Sequence, residues 1–179
     1  MRRLFLLALF ALCGAGIFGH AQAVESATTR QFTINAGGMA SYFNPDEGGN
    51  GLAGIGTYAD FHFTHWFQLE AEARWLRWNQ YYGEHEDNYL VGPRVPIRQI
   101  GDHTMLYGKA LIGYGKETFP FKYGYGTFTD LAFGATVDHR LNNKMTVKAD
   151  FEYQYWPVWL NNQSLAPYGV SVGVGYRVF

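Results

Sequence analysis

Apolar and polar residues alternate along most of this chain, most strictly in YGVSVGVGYRVF at Tyr168–Phe179. Valines and a tyrosine occupy alternate positions there, with serine, glycine and arginine between them. Successive side chains of a β-strand point to opposite faces, so the pattern predicts a strand with one apolar face and one small or polar face. A chain that ends on such a strand is typical of a bacterial outer-membrane barrel, because the last strand must close against the first.

The same alternation recurs along the chain and is clearest in FQLEAEARW at Phe67–Trp75. We therefore predict an all-β fold, an eight-stranded antiparallel up-and-down transmembrane β-barrel. Pro93 and Pro96 each remove a ladder donor from the fourth strand, which predicts an irregular stretch at Gly92–Pro96. The predicted strands are Arg30–Phe43, Leu52–Phe63, Trp66–Trp78, Tyr89–Ile100, Met105–Gly115, Thr127–Asp138, Met145–Trp156 and Tyr168–Phe179.

The connections between these strands bear on two alternative folds. A soluble lipocalin-like barrel also alternates but needs a polar outer face, and a β-sandwich could bury the apolar parity as an ordinary core, which periodicity alone does not exclude. The connections alternate between long and short, as in a membrane barrel with long extracellular loops, short turns and both termini in the periplasm. The long ones are Asn44–Gly51, Asn79–Asn88, Lys116–Gly126 and Pro157–Pro167, and the short ones are Thr64–His65, Gly101–Thr104 and His139–Lys144.

Aromatic residues make up 18% of the chain, and 22 residues are glycine. A mean hydropathy of −0.18 combined with many aromatics suits a wall that faces lipid on one side and a polar interior on the other. Aromatics at the strand ends predict two interfacial girdles. One comprises Tyr42, Trp75, Trp78, Tyr81, Tyr82, Tyr89, Tyr114, Tyr155, Trp156, Trp159 and Tyr168, and the other comprises Phe32, Phe63, Trp66, Phe67, Tyr176 and Phe179.

The N-terminal residues have the pattern of a secretory signal peptide. A short positive region precedes an apolar run without acidic residues, and Ala21–Ala23 offers a small-x-small cleavage site. We predict a cleaved signal peptide at 1–23 and one outer-membrane β-barrel domain at 24–179. The single cysteine, Cys13, lies in the signal, so no disulfide is expected. The mature chain would carry 12 Lys and Arg against 15 Asp and Glu, which offers no basic surface for nucleic acid.

Three motifs and the signal peptide resemble the small outer-membrane β-barrel family that includes the OmpA membrane domain and OmpX. The motifs are YLVGPR at Tyr89–Arg94, YGKALIGYG at Tyr107–Gly115 and PYGVSVGVGYRVF at Pro167–Phe179. The resemblance implies a location in the cell outer membrane. It also implies that the last strand, through Tyr176 and Phe179, is the insertion signal for the barrel assembly machinery. We expect a monomer that contacts outer-membrane lipid and lipopolysaccharide and uses no metal or cofactor.

The charged residues of the strands fall on the parity that faces the lumen. An eight-stranded barrel leaves a lumen that side chains can fill, and buried charges are costly unless they are paired. Both signs occur in comparable numbers, which predicts an ion-pair network plugging the barrel; a gated ion or proton path is the alternative. The predicted network is Glu70, Glu72, Arg74, Arg94, Arg98, Lys109, Lys148, Asp150 and Glu152.

Three functions follow as hypotheses: a structural or surface-interaction barrel, a narrow channel, and a lipid A-modifying enzyme. Such an enzyme would need a serine, a histidine base and a carboxylate near an interface. Ser41 and His85, with Asp46 or Glu84, are the candidates at the outer rim. We predict no catalysis and favour the first hypothesis, and we interpret Glu84–Asp87 as a mobile acidic loop rather than a metal site.

Overall fold

The computed structural model describes residues 32–46, 51–78, 82–159 and 163–178. Its eight strands form one closed antiparallel barrel in chain order. The helical element among the described residues is a 3-10 turn at Pro120–Lys122, and none there is long and apolar enough to cross a membrane. The strands are β1 (Thr33–Asn44), β2 (Leu52–His62), β3 (Gln68–Trp78), β4 (His85–Ile100), β5 (Thr104–Thr118), β6 (Tyr125–Arg140), β7 (Met145–Tyr155) and β8 (Tyr168–Arg177).

The barrel closes because β1 pairs with β8 as well as with β2. Ala36 lies opposite Tyr176, and Ser41 lies opposite Ser171. Each strand therefore has two neighbours, so its backbone N–H and C=O groups find partners within the protein, as they must in hydrocarbon. The predicted fold class, an eight-stranded antiparallel up-and-down barrel, is confirmed.

The outer wall of the barrel is apolar and its interior is polar. The outward side chains of Ile112, Phe133 and Val172 are more than half exposed. Inward Glu70 and Arg74 are fully buried. A lipocalin-like barrel would show the reverse arrangement, and a β-sandwich would not close on itself, so the two alternative folds are excluded.

The connections place the longer loops together at one end of the barrel. The described residues 45–46, 51, 82–84, 119–124, 156–159 and 163–167 form what we call the long-loop end, and residues 63–67, 101–103 and 141–144 form the short-turn end. This is the alternation that the sequence predicts. The β5–β6 hairpin extends past its neighbour at the long-loop end, because β6 is paired with β5 from Tyr125 but with β7 only from Leu131.

Most of the acidic segment Glu84–Asp87 belongs to strand β4 and is more ordered than the sequence suggests. His85–Asn88 begins β4 and pairs with β5 up to Thr118. Glu86 and Asn88 are buried, on the same inward parity as Leu90. The prediction of a mobile acidic loop is therefore wrong for these residues, because the alternation of β4 begins at His85 rather than at Tyr89.

The ladder of β4 with β5 is irregular in and just after the segment that the prolines predict. Gly92 and Pro93 have ladder pairs with β3 but none with β5, and the register with β5 shifts between Pro96 and Arg98. The extra residue of this β-bulge reverses the parity, so Arg98 pairs with Leu106 on the outward side and is exposed. The prediction of an irregular stretch is therefore confirmed on the side of β5, and the prediction that Arg98 lines the lumen is wrong.

Exposed aromatic side chains surround both ends of the barrel wall, as expected of interfacial girdles. The indole of Trp75 donates to the Tyr89 hydroxyl at 3.2 Å at the long-loop end. Two predicted members, Trp156 and Trp159, are instead buried inside the barrel. Trp156 has the inward parity of Gln154, which outweighs its position at a strand end. Predicted features outside the described residues are Tyr81, Phe179 and the signal peptide at 1–23.

Replacing Ala71 with arginine tests the outward assignment of β3. Ala71 lies midway between the outward aromatics Phe67 and Trp75, so a charge there would face hydrocarbon near the midplane. We expect the free energy of unfolding in lipid vesicles, measured by reversible urea titration, to fall by about 2–4 kcal/mol. Thr127→Arg is the control: Thr127 is outward but lies beyond the Tyr114 level, and its replacement should cost about 1 kcal/mol or less. Equal losses at the two positions would contradict the assignment.

Candidate functional site in the barrel interior

Charged side chains from β2 to β7 meet in the barrel interior. The structure brings together eight of the nine residues that the sequence assigns to the network, and Arg98 is the exception. Asp60 and Asp138, which the sequence also places on the inward parity, join them. All ten are buried. The eight predicted residues are Glu70, Glu72, Arg74, Arg94, Lys109, Lys148, Asp150 and Glu152.

Arg74 organises the part of the network that is nearest the long-loop end. Its guanidinium donates to both carboxylate oxygens of Glu152, at 2.6 and 2.7 Å, and to Glu72. The Gln154 amide donates to the same Glu152 carboxylate at 2.9 Å. Two-pronged pairing of an arginine with a carboxylate is the strongest common form of ion pair. It offsets the cost of removing both charges from water.

The ammonium group of Lys109 connects β3 to β7 across the lumen. Its Nζ lies 2.6 Å from Glu72 and 2.9 Å from Glu152. It also lies 2.5 Å from Asp150 and 3.4 Å from Glu70. An ammonium has three donors, and four carboxylates lie within 3.4 Å of this one.

The acidic side chains around Lys109 include one group with metal-ligand spacing. Glu70, Glu72 and Asp150 present carboxylate oxygens within 4.8 Å of one another. The Lys109 ammonium contacts the same three carboxylates. A metal ion would have to displace it, so the geometry is accounted for by an ion-pair network.

Arg94 holds the part of the network nearest the short-turn end. Its guanidinium lies 2.8 Å from Asp60 and 2.5 Å from Asp138. The same group stacks 3.7 Å above the ring centroid of Tyr107. The aromatic face adds a favourable cation–π contact to this buried guanidinium.

Lys148 joins the two halves of the network. Its Nζ lies 2.6 Å from Glu70 and 3.3 Å from Asp60, and 4.1 Å from the ring centroid of Tyr58. Because Glu70 also contacts Lys109, and Asp60 also contacts Arg94, the ion pairs are continuous along the lumen.

A layer of apolar side chains covers the network on the side of the long-loop end. The rings of Phe128 and Trp156 stack with centroids 3.7 Å apart, and Trp159 meets Phe128 edge-on at 5.2 Å. Gly115 opposite Phe128 leaves room for this ring, because a Cβ there would collide with it. Phe43, Leu52 and Leu76 form a second buried cluster at the same end. Our sequence analysis missed this layer, although the inward parity of β3 and β6, extended past Arg74 and Asp130, would have located Leu76 and Phe128.

A polar cavity of about 190 Å³ lies at the short-turn end. Its lining includes Asn35, His62, Asp138, Arg140 and Arg177. Asp138 is also the partner of Arg94, so the cavity borders the network at this ion pair. Water can therefore approach the network from the short-turn end without entering its centre.

The candidate residues for an acylating or deacylating enzyme are not brought together. The Ser41 hydroxyl lies inside the barrel and shares a hydrogen bond with the Ser171 hydroxyl at 2.8 Å. The His85 ring nitrogen Nδ1 lies 2.9 Å from the carbonyl oxygen of Gly83. Asp46 instead accepts a hydrogen bond from the backbone N–H of Ala166. These side chains have structural partners that account for their positions.

Removal of the Arg94 guanidinium should destabilise the barrel, because it leaves Asp60 and Asp138 without their closest cation. For Arg94→Ala we expect the free energy of unfolding in vesicles to fall by about 3–5 kcal/mol. Arg98→Ala removes the same type of side chain from the same strand at an exposed position and should change it by about 0.5 kcal/mol or less. A large effect at Arg98 or none at Arg94 would contradict the position of the bulge or the pairing.

The fold has counterparts among solved structures, although no curated protein matches the chain in sequence. The N-terminal β-barrel domain of Pseudomonas aeruginosa OprF shares 14% identity over 82% of this chain and 99% of that one, with a TM-score of 0.61. Neisserial surface protein A (NspA) shares 12% identity over 81% and 96%, with a TM-score of 0.58. Ail of Yersinia pestis shares 20% identity over 82% and 97%, with a TM-score of 0.50.

At identities this low, the structural similarity shows a common fold only, and the family is shown by the match in sequence. Residues 5–177 match the model of the family described as "Outer membrane protein beta-barrel domain". This range covers nearly the whole chain, and its eight-stranded closed barrel is the architecture of the similar solved structures. The chain belongs to the outer-membrane β-barrel domain family.

Proposed function

We propose that this protein is a sealed outer-membrane barrel with a structural or surface-interaction role, and that it is not an enzyme. The observation that carries the proposal is the continuous ion-pair network from Arg74 to Arg94. Each cation in it is held by at least two carboxylates. An open path for ions would require these buried pairs to separate, and a buried charge without its partner is strongly destabilising.

The apolar layer around Phe128 and Trp156 supports the same proposal. A conducting lumen needs a continuous column of water, and the buried, stacked rings of Phe128 and Trp156 occupy part of the lumen. The cavity at the short-turn end favours the channel hypothesis, but it meets the network at Asp138 and Arg94. The sealed barrel therefore accounts for more of the interior than the channel does.

The outside of the barrel would then carry the function. The long loops are extracellular and both termini are periplasmic in the orientation that we propose, and the barrel is a monomer surrounded by outer-membrane lipid and lipopolysaccharide. The last strand is recognised by the barrel assembly machinery, and Tyr176 and Phe179 are the residues that we propose as its insertion signal. Two similar barrels support a surface role by analogy: NspA is named as a surface protein, and Ail, an attachment invasion locus protein, binds the heparin analogue sucrose octasulfate.

Planar-bilayer recording tests whether the lumen is sealed. We expect no steady single-channel conductance from the refolded, unmodified protein, because the network and the apolar layer obstruct the lumen in succession. A large porin incorporated into the same bilayer serves as the positive control. Reproducible steps of one size from the unmodified protein would contradict the sealed barrel and favour the channel.

Surface labelling tests the orientation. The predicted mature chain contains no cysteine, so single cysteines can report position. We expect Tyr123→Cys, in the connection between β5 and β6, to react with a membrane-impermeant maleimide on intact cells. Asn143→Cys, in the short turn between β6 and β7, should react only after the outer membrane is permeabilised. The opposite pattern would mean that the barrel is inserted the other way round.

A further inference from the structure

Four aromatic side chains project from the long-loop end without entering the barrel. The rings of Tyr82 and Phe121 stack with centroids 4.4 Å apart, and the ring of Tyr123 lies 5.8 Å from that of Phe121. Tyr125 begins β6 on the outward side. All four are more than half exposed, and Tyr123 is 87% exposed. We call Tyr82, Phe121, Tyr123 and Tyr125 the aromatic patch.

The backbone holds the centre of this patch in an unfavourable conformation. Tyr82 and Phe121 have φ values of 49° and 57°, in the left-handed region that bulky residues rarely occupy. The Phe121 N–H donates to the Tyr82 carbonyl oxygen at 2.8 Å and joins the two loops. Strained conformations persist where the surrounding structure imposes them, and they concentrate at binding and active sites. Here the strain presents two large rings to the surroundings.

The patch lies beyond the girdle. Along the β5–β6 ladder, Tyr114 pairs with Thr129 at the girdle, and Thr118 pairs with Tyr125 four residues further out. At about 3.4 Å per residue and the usual strand tilt, Tyr125 stands roughly 10 Å above Tyr114. The patch is therefore too far out to anchor the barrel in hydrocarbon and lies at the level of lipid headgroups.

Positive charge accompanies the aromatic rings on this outward surface. The Lys116 ammonium lies 4.5 Å from the ring centroid of Tyr125. Asp87, which lies opposite Lys116 in the β4–β5 ladder, pairs with Arg77 at 2.6 Å. The Lys116 ammonium places a positive charge against the aromatic patch, and this charge is complementary to phosphate groups.

We propose that the aromatic patch and Lys116 bind the headgroup of a phosphorylated glycolipid in the outer leaflet, with its sugar rings stacked on the aromatic faces. Exposed rings that stand out from the loops can stack on the C–H groups of a sugar ring. A protein hot spot would instead be expected to place its aromatics in a packed pocket at the centre of a larger interface. The outward direction and the headgroup level favour a membrane neighbour. This inference rests on the proposed function, which places the long-loop end at the cell surface.

Binding in detergent solution tests the proposal. The refolded mature protein is titrated with two fluorescent probes: lipopolysaccharide that carries a core oligosaccharide, and lipid A, which lacks the core sugars. We expect Phe121→Ala and Tyr123→Ser to raise Kd for the core-bearing probe at least fivefold and Kd for lipid A less than twofold. Leu141→Ala is the control, because Leu141 is as exposed as Phe121 but lies in a short turn. A heat-dependent gel shift verifies that each variant is folded.

The role of Lys116 is tested against a control lysine, Lys144. Lys144 lies 5.9 Å from the ring centroid of Tyr176 at the opposite end of the barrel. We expect Lys116→Gln to weaken both probes at least threefold, because both carry phosphates, and Lys144→Gln to weaken neither. Equal losses for the two lysines would overturn the role of Lys116.

Two further outcomes would overturn the role of the aromatic patch. Unchanged binding of the core-bearing probe by both aromatic variants would leave a protein as the candidate partner. An equal loss of affinity for lipid A would mean that the aromatic rings do not bind the core sugars. Neither sealing nor orientation affects binding in detergent, so failure here contradicts the glycolipid site alone, whereas conductance or reversed labelling contradicts the proposed function.

Discussion

Pairing between β1 and β8 supplies hydrogen bonds to two strands that would otherwise be edges, and it thereby creates an interior that lipid cannot reach. Hydrocarbon offers no partner for an N–H or C=O group. The same closure permits the charges of β3 and β7 to be buried, because each faces a lumen lined by other protein side chains. If the sheet were open, Glu70 and Glu152 would face lipid or water, and the polar face of each strand would have no protein interior to line.

Closure also forces the buried charges into contact, because the lumen is narrow. A barrel of eight strands leaves an interior only wide enough for side chains to fill. Long side chains such as Arg74 and Lys109 therefore reach across to β7 rather than turning toward solvent. Six carboxylates surround four cations in this network, and further donors assist: Thr136 donates to Asp150 at 2.9 Å. Dense mutual pairing is what makes burial of so many charges tolerable.

The sequence predicts the barrel and most of the network for one physical reason: parity in a strand decides which face a side chain occupies. The failures occur where parity changes or where it was not applied. Arg98 lies on the outer side because the bulge after Pro96 adds one residue, and sequence alone places a bulge near two prolines without fixing which residue is unpaired. Trp156 was assigned by its position at a strand end, although its inward parity predicts the buried position that it occupies. The aromatic patch depends on contacts between separate loops, for which strand alternation carries no signal.

The two ends of the barrel differ in a way that bears on function. Toward the long loops the stacked rings of Phe128 and Trp156 lie over the charge network, and Glu86, Asn88 and Glu117 are buried at the same end. The elements that extend there, the β5–β6 hairpin and the loop that carries Tyr82, present their rings on the outside instead. A barrel that conducts needs its polar groups to line a path between the two ends. This one places its charges in mutual contact in the lumen and its exposed aromatic groups around the rim, which supports the proposal that it acts through its outer surface.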